Sequence, residues 1–216
     1  PFNLSNINGI NMEYFTTQTG AFRAGNFRQS DLATIGNRSV AFGNWTRATG
    51  TGSLAFGNNL TNNSISANGS GSLAYGVADT NGTISTGINA DGSEASGHVD
   101  TNGQIKVSDN WWGAKASGAS VSSGLIQTSA DGAYAHGFAS DEGSEIIIVE
   151  NAEGSEAAGN VATAGKIQVD RSAYGSKALG NAEDGGLIRV GFTSAGSIAS
   201  GVANGQNVIV SVGDEA

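Results

Sequence analysis

The residues best equipped for chemistry are few. Trp111 and Trp112 stand side by side after Asp109 and Asn110, at a place where neighbouring segments carry small residues. Adjacent indoles beside a carboxylate and an amide can stack on a sugar ring while the polar groups bind its hydroxyls. The same four residues would equally serve as a bulky plug at a turn or at a contact between chains. A second cluster is the acidic stretch 141–153, DEGSEIIIVENAE, which surrounds an apolar run. Such a stretch can hold a cation or a basic partner. The simpler reading is that charge flanking a sticky strand keeps it from pairing with other molecules.

Catalysis lacks its usual parts. His98 and His136 fall at non-equivalent places in their surroundings, and no Ser/His/Asp set or short-range metal partner accompanies either. The remaining acids are scattered. The chain has no cysteine, which excludes disulfides and thiolate metal sites. Neither an EF-hand loop nor the glycine-rich nonapeptide of calcium β-rolls is present. The expectation is a protein without catalytic residues, cofactor or metal, and not an enzyme. Ten basic against nineteen acidic residues give a net charge of −9, which disfavours nucleic acid and anionic membranes as partners. No apolar run approaches the roughly 20 residues of a membrane helix. Any membrane attachment is therefore expected through an anchor outside this segment, which opens on Pro1 and reads as a fragment or processed product.

What must position these residues is a repeat. The pattern Ser-x-Ala-x-Gly recurs at 39–43, 53–57, 72–76, 93–97, 114–118, 133–137, 155–159, 176–180 and 197–201, with alanine replacing the serine at Ala114 and Ala133. The step between final glycines is shortest from Gly43 to Gly57 and nearly constant from Gly76 to Gly201. A period of roughly 20 residues means stacked coils instead of one central pocket. Thirty-four glycines with one proline are not collagen, which needs glycine at every third position and much proline. Inside each pentad the period is two, that of a strand. Ser39, Ala41 and Gly43 share one face, built for close approach, and the final glycine permits a corner at positive φ.

A second element joins further on. Ile84, Ile105, Ile126, Ile147, Ile167, Ile188 and Ile209 recur at the same near-constant step. Several begin an Ile-x-Val run after a turn. Each later repeat then holds two short strands and two turns, one coil of a parallel β-helix or β-roll. Residues 1–36 read as an N-terminal cap or eroded coils, with loosely spaced Phe2, Tyr14, Phe15, Phe22 and Phe27 and echoes of the pattern at 21–25 and 31–36. Residues 37–76 form a short-period segment, and 77–216 a long-period one. One isoleucine and one valine per coil offset little of the cost of ordering it. Whole columns packed side by side would add burial, and the apolar outer faces Val40, Phe42, Leu54, Phe56, Leu73 and Tyr75 are the expected contact.

The strings SVAFGNWTRATGTGSLAFGNN and GSLAYG, with the short step from Gly43 to Gly57, resemble the head repeats of trimeric autotransporter adhesins of the YadA type. The resemblance spans about residues 37–201. It implies a left-handed parallel β-roll whose coil is as short as that Gly43–Gly57 step, assembled as a homotrimer. It also implies an extracellular head, anchored in a bacterial outer membrane, that binds a host surface, a matrix protein or a glycan without catalysis. From Ser72 onward the step lengthens by about half. Similar repeats occur in phage and viral fibres, so a tail-fibre or receptor-binding segment, with polysaccharide-binding or depolymerising activity, is the alternative.

Overall fold

The alternating pentads and the isoleucine-centred runs fold as two kinds of strand, each stacking into its own sheet. The computed structural model describes residues 12–15, 19–26, 34–60, 64–206 and 208–213, and all regular structure among them is β. The first sheet collects the pentad strands: β2 (Phe22–Gly25), β3 (Val40–Asn44), β5 (Leu54–Asn59), β7 (Leu73–Ala78), β9 (Glu94–Val99), β11 (Lys115–Ser120), β13 (Tyr134–Ala139), β15 (Glu156–Val161), β17 (Lys177–Glu183) and β19 (Ile198–Asn204). The second sheet holds β4 (Thr46–Ala48), β6 (Ser64–Ala67), β8 (Thr83–Thr86), β10 (Gln104–Val107), β12 (Leu125–Thr128), β14 (Glu145–Ile148), β16 (Lys166–Val169), β18 (Leu187–Val190) and β20 (Ile209–Val212). Neighbours within a sheet are one coil apart and parallel, so the chain winds as a two-sheet parallel β-solenoid. One strand departs: β1 (Met12–Phe15) runs antiparallel along β2.

The core is a steric match between the sheets. The pentad alanines, from Ala41 to Ala199, form one buried ladder on the first sheet. Across from them Ile65, Ile84, Ile105, Ile126, Ile146, Ile167 and Ile188 pair rung on rung, all sealed from solvent. The pentad glycines face the same interior. A Cβ on Gly76, Gly137, Gly159 or Gly180 would stand 2.9 Å from the Cδ1 of Ile84, Ile146, Ile167 or Ile188 respectively. The glycine expected at a corner is therefore a mid-strand residue. It has positive φ, as at Gly97 (139°), and its missing side chain admits both the isoleucine and the backbone of the next rung.

The isoleucine ladder differs from the spacing reading at two rungs. Ile146, not Ile147, pairs with Ile126 and Ile167, and Val210, not Ile209, pairs with Ile188. Ile147 lies on the outer face between Gln127 and Gln168. The second sheet also begins earlier in the chain than Ile84. Strands β4 and β6 lie within residues 37–76, and even the short first coil keeps one of them.

Corners hold the rungs in step. Most turns before a pentad close by a bond such as Ser93 N to Ala90 O, 3.4 Å, with glycine in the third place (Gly92, φ 66°), where a type II turn needs positive φ; the first carries Arg38 there instead, at φ 56°. That glycine's amide bonds the preceding coil, as in Gly113 N to Asp91 O, 2.9 Å. Pentad serines are buried and donate to turn carbonyls: Ser53 Oγ to Gly50 O and Ser72 Oγ to Gly69 O, both 2.7 Å.

The segment 21–25 is a coil in register, with Arg23 at the alanine position beside Ala41. Its guanidinium is buried and donates to Thr46 O (3.2 Å) and Ala48 O (3.1 Å) on β4, the first strand of the second sheet. Phe2, Phe27 and residues 31–33 of the second echo lie outside the described residues.

Candidate functional site

Two consecutive turns build the corner that carries Trp111 and Trp112. Asn110 takes the third place of the first turn at φ 67°, a conformation asparagine tolerates better than most residues. Trp111 occupies the position filled one coil earlier by the buried Ala90, and its larger ring is half-buried against the core. The next coil makes only one turn at this corner, Ala130–Ala133, so Trp111 sits at a step in the stack.

Trp112 projects from the corner and is 62% exposed. Asp91 and Asp131 hold the equivalent turn positions one coil before and after it. Asp131 Oδ1 accepts from the Trp112 amide (2.6 Å), and Asp91 Oδ1 accepts from the Ser70 amide (2.7 Å). Asp109 Oδ1 accepts from the Ile88 amide (2.8 Å), and Asn110 Oδ1 from Asn89 Nδ2 (3.0 Å). The four residues singled out in the sequence thus share one corner but do not converge. Asp109 and Asn110 bond along the stack, Trp111 turns to the core, and Trp112 alone offers a stacking face. The corner can hold one ring and encloses nothing.

The outer face of the first sheet is richer. Val40, Leu54 and Leu73 stack as one column, continued by Glu94, Lys115, Tyr134, Glu156, Lys177 and Ile198. Phe42, Phe56 and Tyr75 form the next column, continued by Ser96, Ser117, His136, Ala158, Leu179 and Ser200. The Phe56 and Tyr75 rings stack at 4.9 Å, and Phe22 meets Phe42 at 5.1 Å. In the single chain Phe42 is 45% and Phe56 36% exposed, so these early strands are buried on one face only. Farther along, charges pair rung to rung: Lys115–Glu94 (3.4 Å) and Lys177–Glu156 (2.7 Å). Lys177 and then His136 hold the Glu156 carboxyl below its ordinary range.

His136 therefore has a carboxylate at 3.0 Å, which sequence distance concealed, whereas His98 is exposed on another column. The acids of 141–153 disperse. Glu145 pairs with Lys166 (2.9 Å) and Glu150 with Arg171 (3.3 Å), and Asp141 stays at an exposed turn. Among the described residues no three His, Asp or Glu side chains are grouped to hold a metal ion, and no helix could cross a membrane.

Comparison adds a viral connection. The chain is 49% identical over 67 residues to "Collagen-like protein 6" of Acanthamoeba polyphaga mimivirus, a match covering 31% of this chain and 5% of that protein. It is 49% identical over 59 residues to "Collagen-like protein 7" of the same virus, covering 27% of this chain and 3% of the relative. The chain thus spans a small fraction of the length of these relatives. No protein family matches it, and no solved structure does.

Sequence reasoning missed the side chains that meet across rungs. Tyr75 donates to Glu94 Oε1 (3.0 Å), and the Ser117 and Tyr134 hydroxyls bond at 2.8 Å. Aligning the pentads would have revealed both meetings, because Leu73, Glu94, Lys115 and Tyr134 all follow the first pentad position.

Proposed function

We propose that this chain is a non-enzymatic segment of an extracellular surface fibre that attaches its carrier to host or other surfaces through many weak contacts. The observation that carries this reading is the filled interior. Alanine, isoleucine and valine fill most of it from Ala41 to Ala203, with a few small polar residues such as Thr86, Ser120 and Thr128 sealed among them, so most chemical variety is left to the outer faces and corners. A rod of that kind displays groups at fixed intervals along its length. Repeated display raises avidity without any strong single contact, by about 10²–10⁴ when geometry lets the contacts engage together.

The mimivirus relatives support a viral particle as the carrier. The SLAFG and SLAYG pentads support instead the head of a trimeric autotransporter adhesin on a bacterial outer membrane, with its left-handed winding. Both carriers share the assembly we infer, three copies packed along the column of Val40, Phe42, Leu54, Phe56 and Leu73 and ending at Tyr75, whose ring face turned away from Phe56 stays outside the contact. Partners would be a host-surface or matrix protein or a glycan, with neither cofactor nor metal.

Antibodies raised against residues 64–206 should label the outside of the intact particle or cell that makes the protein. Labelling only after the particle or cell is opened would overturn the surface reading. Light scattering should give three times the mass of one 21.6 kDa chain, and a monomeric mass would overturn the trimer.

A further inference from the structure

The outer face of the first sheet carries a groove that no repeat position explains by itself. It has a volume of about 340 Å³ and lies between Tyr75 and Tyr134. Those rings stand on rungs three steps apart, about 14 Å at ordinary strand spacing. On the two rungs between them the second column shrinks to Ser96 and Ser117, and the first carries Glu94 and Lys115. The volume lies at the lower end of the range for small-ligand sites.

The walls are held in place before any ligand arrives. Tyr75 stacks on Phe56 and donates to Glu94 Oε1. Tyr134 stacks on His136, ring centres 4.2 Å apart, and bonds Ser117 Oγ. Fixed walls spare a ligand the cost of ordering them. Between the walls lie hydroxyls, a carboxylate and an ammonium. Ser96 Oγ also donates to Glu94 Oε1 (3.3 Å), and Lys115 faces Glu94 Oε2 at 3.4 Å, so the charges cancel.

We infer that this groove is a binding site for a short neutral oligosaccharide. Two aromatic walls offer stacking faces for the apolar sides of sugar rings. The hydroxyls, the remaining Lys115 protons and the remaining carboxylate lone pairs supply donors and acceptors for sugar hydroxyls. An anionic ligand would meet Glu94. An extended peptide would find no free strand edge, because β7, β9, β11 and β13 are already paired on both sides. The inference rests on the attachment reading above and gives it a ligand class and a place.

The test is calorimetric titration of the full chain with maltose, cellobiose, mannobiose, chitobiose and their longer homologues. At least one should bind. Tyr134→Ala, which removes a wall, and Ser117→Trp, which fills the trough, should each weaken that binding about tenfold or more. Tyr134→Phe keeps the ring and should weaken it less, and Tyr174→Ala, an exposed ring on another coil, should leave it unchanged. Circular dichroism should show the same fold for all four variants, with Trp112→Ala as a fifth that tests the corner as a rival site; the Tyr134→Phe and Tyr174→Ala comparison still decides the matter if Tyr134→Ala or Ser117→Trp unfolds the chain. Binding by none of these sugars, equal binding by the wild type and the groove variants, or loss in Trp112→Ala alone would overturn the inference. Outside labelling and a trimeric mass with no sugar bound would leave the fibre reading standing and remove this one.

Discussion

The Cδ1 methyl of Ile188 lies 2.9 Å from where a side chain on Gly180 would begin, and the Gly201 carbonyl overlaps the same point. The two sheets are held at a distance that only glycine permits. Gly180→Ala should therefore cost about 3 kcal/mol or more, from overpacking together with a strained φ of 141°. Gly154→Ala faces open space at a corner and strains only its φ of 68°, for about 1–2 kcal/mol. Denaturant midpoints of the two variants check the order; equal midpoints would contradict the steric match.

The isoleucine ladder makes a paired prediction. Ile146→Ala should destabilise by about 2–5 kcal/mol, because it opens a cavity between sealed neighbours. Ile147→Ala, on the outer face, should cost less than about 1 kcal/mol. The reverse order in thermal unfolding would restore the spacing-based register.

Arg23 closes the start of the second sheet. Arg23→Ala removes its two donations to β4 and should cost about 1.5–3 kcal/mol at that end. In a stacked array the effect should stay local. Hydrogen exchange should speed up over residues 40–48 and stay unchanged beyond residue 94; uniform acceleration would mean that the coils unfold as one unit.

Acid sensitivity follows from Glu156. Its carboxyl is held below the ordinary 4.5, first by Lys177 and then by His136. A group that binds protons more weakly when folded contributes stability at neutral pH and loses it as pH falls through the unfolded value toward the folded one. The unfolding midpoint should drop below about pH 4.5, less steeply in Glu156→Gln and less steeply in high salt, because the trio is partly exposed. Identical acid limbs for the wild type and Glu156→Gln would sink this.

The apolar column is tested by charge. Phe42→Glu with Phe56→Glu should convert a particle of three chains to a single 21.6 kDa chain by light scattering, since like charges would meet in a desolvated contact. An unchanged mass would move the contact elsewhere.

Much of this architecture was legible in the residues. Within Ser-x-Ala-x-Gly large and small alternate, so the pentads declared both their strand and its inner face. Register was legible only where one isoleucine stood alone. In Glu-Ile-Ile-Ile-Val, period two does not say whether Ile146 or Ile147 turns inward, and Val208-Ile-Val-Ser-Val is as ambiguous. The groove stayed hidden because its two walls come from different pentad positions, Tyr75 from the fourth and Tyr134 from the second, on rungs three steps apart. The tryptophan pair was conspicuous by type, yet a corner of two consecutive turns sends its members in different directions.

The corner that makes two turns around Asn110 and one before Ala133 absorbs differences in chain length without disturbing either ladder. A dipeptide gained or lost there leaves every strand facing as before. A single residue gained within a strand would turn the rest of that strand inside out. Variation among related sequences should accordingly gather at this edge in even steps, and a peptide tag inserted there should ride on the rod without unwinding it.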